Sequence, residues 1–258
     1  MTHHMKLAKT PFNAVVSGYK TIELRLNDKK RQALNVGDFI KFTCVSDSGM
    51  TVSKKIRALH RFSSFEKLYK NLPLLSCGYT PFTFPYANAE DMNKYYPPEE
   101  QAEYGVVGIE LESEPLQRFL VGQTGVMPNC SGYDTALREI QSGQKQTHWI
   151  WYVFPQIKGL TLDPVTEYYA VTLEEAKAIL EHPVLESRLT EISTTLLDAD
   201  AFDLVSVFSM LDAFKLRASM TLFNRISGGN SVFQQVLDKY CFGVEDSLTD
   251  QIIGSTLS

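Results

Sequence analysis

The hydrophobic pattern of this chain changes period once, near Ser113, and that change limits the folds available to it. Before Ser113, apolar residues recur at every second position, as in Ile22, Leu24 and Leu26 and again in Val107, Ile109 and Leu111. Alternation of this kind belongs to strands with one buried face. After Ser113 the spacing becomes three or four residues, the signature of helices with an apolar stripe. A single sheet or a single bundle cannot satisfy both periods. The chain therefore reads as a two-domain α+β protein, with residues 1–113 built on a sheet and 114–258 all-α and multihelical. Its 258 residues suffice for two separate cores.

The first half is organised around Ser17-Gly18-Tyr19-Lys20-Thr21-Ile22-Glu23-Leu24-Arg25-Leu26. A strand is expected over Met5–Lys9 and a short helix over Pro11–Ser17, which Gly18 can end in the left-handed conformation. From Lys20 to Leu26 the chain reads as a strand with Ile22, Leu24 and Leu26 buried. Thr21, Glu23 and Arg25 share its other face, and Lys20 stands at its mouth. Lys29, Lys30 and Arg31 follow, then a turn at Val36-Gly37-Asp38. Strands are expected over Phe39–Cys44, Thr51–His60 and Gly105–Glu112, with a turn at Ser46–Gly49. Ser63 and Glu66 have capping-box spacing ahead of a helix carrying Phe65, Leu68, Tyr69 and Leu72. The stretch Ser76–Pro98 is irregular and rich in aromatics, suited either to stacking bases or to covering the end of the sheet. His3 and His4 precede a second methionine, Met5, which reads as an alternative start.

Residues 1–61 hold twelve lysines and arginines against four acids, a local balance of +8 in a chain whose net charge is −5. Residues 114–258 hold ten bases against eighteen acids. Such asymmetry points to an anionic partner for the first half. On spacing alone, Glu23 and Arg25 are read either as a solvated ion pair or as part of a ligand site at the strand ends.

Gly18-x-Lys20-x-x-Glu23-x-Arg25, followed by a basic turn and Gly37-Asp38, resembles the signature of the ASCH domain, a relative of the PUA RNA-binding domains. The resemblance covers roughly the first 112 residues. It implies a small PUA-like β-barrel with a cleft for RNA, a nucleotide or a modified nucleoside. In this cleft Lys20, Glu23 and Arg25, with Lys29, Lys30 and Arg31, would be the ligand-binding residues. One branch of that family hydrolyses acetylated cytidine with the motif lysine, a threonine three residues later and a distant glutamate. Here Glu23 stands at the threonine position.

In the second half, helices are expected from Asp134 to Gly143, from the capping box Thr172-x-x-Glu175 to Pro183, and over Val184–Leu197, Phe202–Phe214, Ser231–Tyr240 and Ser247–Ile253. Between them lies His148-Trp149-Ile150-Trp151-Tyr152-Val153-Phe154-Pro155-Gln156-Ile157-Lys158, which contains both tryptophans of the chain. The aromatic density reads as buried core. The other reading is a cleft walled by Trp149 and Trp151 and reached by His148, Gln156 and Lys158. This half resembles a bacterial helical family known as domain of unknown function 1810. The resemblance rests on Leu116-Gln117-Arg118-Phe119, His148-Trp149-x-Trp151-x-x-Phe154-Pro155-Gln156, His182-Pro183, Asp212-x-x-Lys215 and Ser219-Met220-Thr221-Leu222-Phe223. It implies a fold and no known reaction. It adds Asp212, Lys215 and Ser219 to the second candidate cleft, a residue set suited to acid–base chemistry if the fold brings it together.

Four dispersed cysteines and five histidines without ligand spacing predict no metal site and a reducing compartment, hence the cytoplasm. No apolar run approaches membrane-spanning length. No Walker loop, dinucleotide fingerprint, nucleophile elbow or zinc-protease motif is present, and no cofactor is expected. The leading reading is RNA or nucleotide binding by the first half. Its alternatives are an amidohydrolase or ribonuclease using Lys20 and Glu23 as acid and base, and a non-catalytic interaction module.

Overall fold

A computed structural model describes residues 1–199, 203–229 and 231–257, in two compact units, Met1–Gln117 and Arg118–Ser258. The first unit contains β1 (Thr2–Leu7), α1 (Lys9–Ser17), β2 (Ile22–Leu26), a one-turn α2 (Lys29–Gln32), β3 (Phe39–Cys44) and β4 (Asp47–Phe62). It continues with α3 (Phe65–Asn71), two 3-10 turns, α4 (Pro98–Tyr104) and β5 (Val106–Leu111). The five strands lie in the order β1-β3-β4-β5-β2, with β1 parallel to β3 and the other neighbours antiparallel.

The curl of this sheet comes from β4. Its 16 residues serve two partners in succession. The first part, from Asp47 to Lys55, pairs with β3, and the second, from Ile56 to Phe62, pairs with β5. A register shift between Ile56 and Ala58 sits at the handover, and such a bulge bends a strand and strengthens its twist. The result is a curled half-barrel where a small barrel was expected, and with the helical second half it gives the expected two-domain α+β architecture. Ile40, Phe42, Ile56, Val107 and Ile109 form its inner core with Phe12 and Val15 of α1. Ile22, Leu24, Leu26 and Val106 pack with Phe65 and Leu68 of α3 in a second cluster.

The two edge strands meet across a seam that has no backbone ladder. The carbonyls of Met1 and Leu7 accept from Phe39 and Val45 on the β3 side, so those of His4 and Lys6 point the other way. Lys30 donates to the His4 carbonyl at 2.9 Å, and Arg25 of β2 donates through Nη2 to the Lys6 carbonyl at 2.8 Å. Side chains thus close what the strands leave open.

Several local expectations shift by a residue or more. β1 begins at Thr2, so His3 and His4 belong to the sheet, and His3 Nε2 lies 2.9 Å from Asp38 Oδ2. The β3–β4 turn is Val45-Ser46, and Asp47 already pairs with Cys44. Ser64, not Ser63, caps α3 by accepting from the Lys67 amide, and Glu66 pairs with Lys70 instead. The aromatic stretch divides its residues. Tyr79, Phe84 and Tyr96 fold back on the second cluster, whereas Phe82, Tyr86 and Tyr95 face outward.

The second unit contains ten helices among the described residues: α5 (Gln117–Thr124), α6 (Tyr133–Gln141), α7 (Ile150–Val153), α8 (Pro164–Tyr169), α9 (Leu173–Glu181), α10 (Pro183–Asp198), α11 (Leu204–Val207), α12 (Met210–Ile226), α13 (Val232–Cys241) and α14 (Ser247–Leu257). The central element is α12, buried continuously from Ala218 to Asn224 and packed by α7, α9, α11, α13 and α14. The Thr172–Glu175 capping box forms as expected. Pro183 opens α10 as well as ending α9, because a proline is tolerated in the first turn and His182 Nδ1 accepts the next two amides. Gly132 rather than Asp134 caps α6. Phe202, the first residue of the helix expected to run to Phe214, lies outside the described residues. The remainder divides into α11 and α12, because Phe208 is extended and Ser209 caps a new helix by accepting from the Asp212 amide. No helix among the described residues is long and apolar enough to cross a membrane.

Gly122 of α5 sits directly against the ring of Tyr152, and a Cβ there would lie 2.6 Å from Tyr152 Cγ. Gly122→Ala gains about 1 kcal/mol of helix propensity and incurs about 1–3 kcal/mol of overpacking. A net loss of up to about 2 kcal/mol is expected, read as a lower urea midpoint with unchanged slope.

Candidate functional site

The polar face of β2 is assembled from the turn that precedes it. Gly18 ends α1 at φ 89°, and a Cβ on it would lie 2.5 Å from Gln117 Nε2, so both conformation and space require glycine. The Lys20 amide bonds back to the Ala14 carbonyl at 3.0 Å, and the Thr21 and Ile22 amides share the Ser76 carbonyl at 2.8 Å. Lys20 then runs past Gly78, whose own Cβ would come within 3.1 Å of Lys20 Cδ. The lysine therefore reaches the polar face of the strand from its end.

There Lys20 Nζ lies 2.9 Å from Glu23 Oε2, and Arg25 Nε lies 2.8 Å from Glu23 Oε1. Glu23 is only 3% exposed, so a buried carboxylate is held between two cations. Among the described residues its Oε2 accepts no hydrogen bond of good geometry despite the short ion-pair contact. Arg25 also approaches the Tyr96 hydroxyl at 3.4 Å, which ties the strand to the aromatic stretch. Burial alone would lower the Arg25 pKa, but Glu23 and Tyr96 more than offset it and hold it above its ordinary value. Burial pushes the neighbouring Cys77 thiol up to about 12, with Lys20 pulling it down and Glu23 pushing it further up. Cys77 is an inert thiol at neutral pH.

Beside this group opens a cleft of about 250 Å³, lined by Lys20, Lys54 and Lys55 together with Thr21, Gln117 and two acids, Glu112 and Glu114. Of the three motif side chains only Lys20 lines it; Glu23 and Arg25 stand behind. Lys54 and Lys55 come from β4, and Lys55 Nζ lies 3.4 Å from Glu112. The basic turn does not join the group. Arg31 pairs with Asp28 at 2.7 Å, Lys30 is spent on the seam, and Lys29 is exposed.

In the second unit the aromatic segment is pinned by Glu139 of α6, which is 8% exposed. Its carboxylate accepts from the Gln146 amide (2.9 Å), the Thr147 amide (3.1 Å) and hydroxyl (2.7 Å), and Trp149 Nε1 (2.7 Å). Burial pushes its pKa up, and these donors more than reverse that, leaving it below the usual carboxylate value. Trp149 is fully buried, as the core reading expects, whereas Trp151 is half-buried. His148 stacks on Trp151 with ring centroids 6.3 Å apart, and Lys215 Nζ lies 5.1 Å from the Trp151 centroid. Asp212 pairs with Lys145 at 2.7 Å and Lys215 at 3.1 Å. Burial raises the Asp212 pKa, but Lys145 and Lys215 outweigh it and the net shift is downward. The fold thus brings His148, Trp149, Trp151, Asp212 and Lys215 together with Lys145, and Ser219 follows Lys215 by one turn of α12. Gln156 and Lys158 lie instead on either side of the bridge between Ile157 and Val171.

A family model described as Protein of unknown function (DUF1810) matches residues 113–253. The chain belongs to this family. A second model, the ASCH domain, matches residues 5–115, so the half-barrel unit is an ASCH domain, a PUA-like domain of RNA-binding type. No curated protein matches the chain. Among solved structures, the conserved hypothetical protein Rv1873 from Mycobacterium tuberculosis is 36% identical over 53% of this chain and 94% of that one, with a TM-score of 0.49. The hypothetical protein PH0355 is 27% identical over 43% of this chain and 98% of that one, with a TM-score of 0.37. The protein PF0455 from Pyrococcus furiosus is 27% identical over 43% and 96%, with a TM-score of 0.34.

The ASCH motif did not mark Lys54 and Lys55, although β4 reads as a basic strand. In the DUF1810 unit, Glu139 carries no sequence signal, because two of its four donors are backbone amides and the others lie in a loop without periodicity.

Glu139→Gln keeps the shape and removes the charge, so a loss of about 1–2 kcal/mol is expected at neutral pH. The folded pKa lies below the unfolded one, so the stabilisation is complete above the ordinary carboxylate range, about 4.3. It fades as the pH falls through the folded value. The melting temperatures of wild type and variant should therefore converge in acid, as followed by circular dichroism.

Proposed function

We propose that the ASCH unit binds single-stranded RNA, or a nucleotide or nucleoside drawn from it, in the cleft beside Lys20. The observation that carries this reading is the meeting of Lys20, Lys54 and Lys55 in one concave site. Three lysines, one from the turn before β2 and two from β4, suit a phosphate-bearing ligand. Glu23 and Arg25 act from behind: the buried carboxylate fixes the Lys20 ammonium, and Arg25 fixes the carboxylate. Lys29, Lys30 and Arg31 serve as an outer basic rim at most, since two of the three already have partners. The outward-facing Tyr86 and Tyr95 offer rings on which bases can stack.

The hydrolase reading has less behind it. Glu23 stands where the hydrolytic branch has a threonine, and both its oxygens face cations. A cytoplasmic setting suits the four cysteines, three of them buried and none in a disulfide among the described residues.

The test is anisotropy of a labelled, uridine-rich single-stranded RNA with the full chain, in salt from about 50 to about 200 mM. Three neutralised phosphates give a slope of log K against log salt of about −2 on a single strand. Lys54→Ala combined with Lys55→Ala should bring the slope to about −0.7 and leave the melting curve in place. These two are the informative positions, because Lys20 also compensates a buried charge and its loss would mix binding with stability. Binding without salt dependence, or a double variant that binds as tightly as wild type, would overturn the proposal.

A further inference from the structure

The DUF1810 unit carries a second cationic group whose charges do not balance. Lys145, Asp212 and Lys215 have side-chain exposures of 9%, 13% and 22%. Among the described residues, Asp212 is the one acid paired with either lysine. One carboxylate neutralises one ammonium. Lys145 is the closer and more buried partner, so Lys215 is the surplus charge. A half-buried ammonium that shares its counter-ion with a closer lysine is under-compensated, and its position over the Trp151 ring recovers only part of that cost.

Two orphaned donors accompany it. Among the described residues, Trp151 Nε1 is buried without a hydrogen-bond partner, and so is the hydroxyl of Ser219, whose residue is 0% exposed. A buried donor left unmade forfeits roughly 1–3 kcal/mol, and proteins rarely leave two beside a surplus charge. The spacing of Asp212, Lys215 and Ser219, three and then four residues, puts them on one face of α12. That helix packs against α7, which carries Trp151. His148 stacks on Trp151 and extends the aromatic wall.

We infer that this group is a binding site for a phosphate dianion, held by the Lys215 ammonium, the Trp151 indole N–H and the Ser219 hydroxyl. Three donors of different kinds suit a tetrahedral oxyanion with several acceptor oxygens better than a carboxylate with two. Asp212 retains Lys145 throughout, so the ligand takes Lys215 without stranding a buried acid. The shared chemistry is the phosphate group, inorganic or carried as a monoester, and the aromatic wall of His148 and Trp151 accepts a planar group attached to it.

The experiment is calorimetric titration of the full chain with inorganic phosphate, uridine monophosphate and uridine. Wild type is expected to bind one or both phosphate ligands and to ignore uridine. Binding of both identifies the dianion itself as the determinant, and binding of the monophosphate alone identifies an ester. Lys215→Met should weaken binding roughly tenfold and Trp151→Phe roughly fivefold. Lys177→Met, exposed on α9, should match wild type, with melting curves confirming that each variant is folded. Trp151→Phe, which keeps an aromatic ring in the wall and removes the N–H, keeps the test decisive if Lys215→Met melts low. Silence of wild type toward both phosphate ligands would overturn the inference, as would folded Lys215→Met and Trp151→Phe that bind unchanged. Loss of phosphate binding in Lys20→Ala, with Lys215→Met unaffected, would also overturn it by placing the anion in the ASCH cleft.

Discussion

The ASCH unit depends on the burial of one carboxylate. Glu23 lies inside the half-barrel at 3% exposure, where an isolated anion would not persist. Two cations make it tolerable, and each imposes a condition on the chain around it. Lys20 reaches Glu23 because Gly18 turns the backbone in a left-handed conformation, and Gly78 leaves room for the lysine stem. Arg25 is adjacent on the same face of β2, and its remaining N–H groups reach Tyr96 and the β1 backbone. Removing any partner would strand a charge in a low-dielectric interior. The spacing Gly18, Lys20, Glu23, Arg25 is therefore the local covalent arrangement that a buried acid requires here.

The DUF1810 unit meets a similar problem with the same stoichiometry, one acid between two cations. Asp212, like Glu23, is a poorly exposed acid with two cationic neighbours. In the ASCH unit the second cation has other work, since Arg25 also serves the seam and Tyr96. In the helical unit Lys215 has no second acceptor among the described residues, only an aromatic face. Glu139 shows a third arrangement, in which donors without formal charge stabilise a buried carboxylate. That last arrangement fixes the backbone of the loop leading into Trp149, and so sets where the aromatic segment sits.

How far the sequence discloses these arrangements follows from how local their causes are. The strand alternation around Ile22 and Ile109, the Gly18 cap and the Thr172–Glu175 capping box are encoded within a few residues, and they are readable. The fracture of the expected helix at Phe208 and Ser209 is less so, because both pieces share one apolar period and the break lies in a single cap. Short α7 and α8 are held by tertiary packing and have too few turns for periodicity to register. The meeting of Lys20 with Lys54 and Lys55 depends on the sheet order, which no local pattern specifies. The separation of Lys158 from Trp151 has the same origin: seven residues apart in sequence, they are parted by the Ile157–Val171 bridge.

The seam between β1 and β2 has a further consequence, for self-association. A sheet with two free edges offers rows of unpaired carbonyls and amides to any extended chain, and such edges promote fibrous growth. Here the outward carbonyls of His4 and Lys6 already accept from Lys30 and Arg25. A foreign strand approaching β1 would have to displace two hydrogen bonds from cationic side chains before forming its first backbone contact. The residues that close the half-barrel thus also limit its growth: this sheet ends at five strands because its own arginine and lysine occupy the place of a sixth.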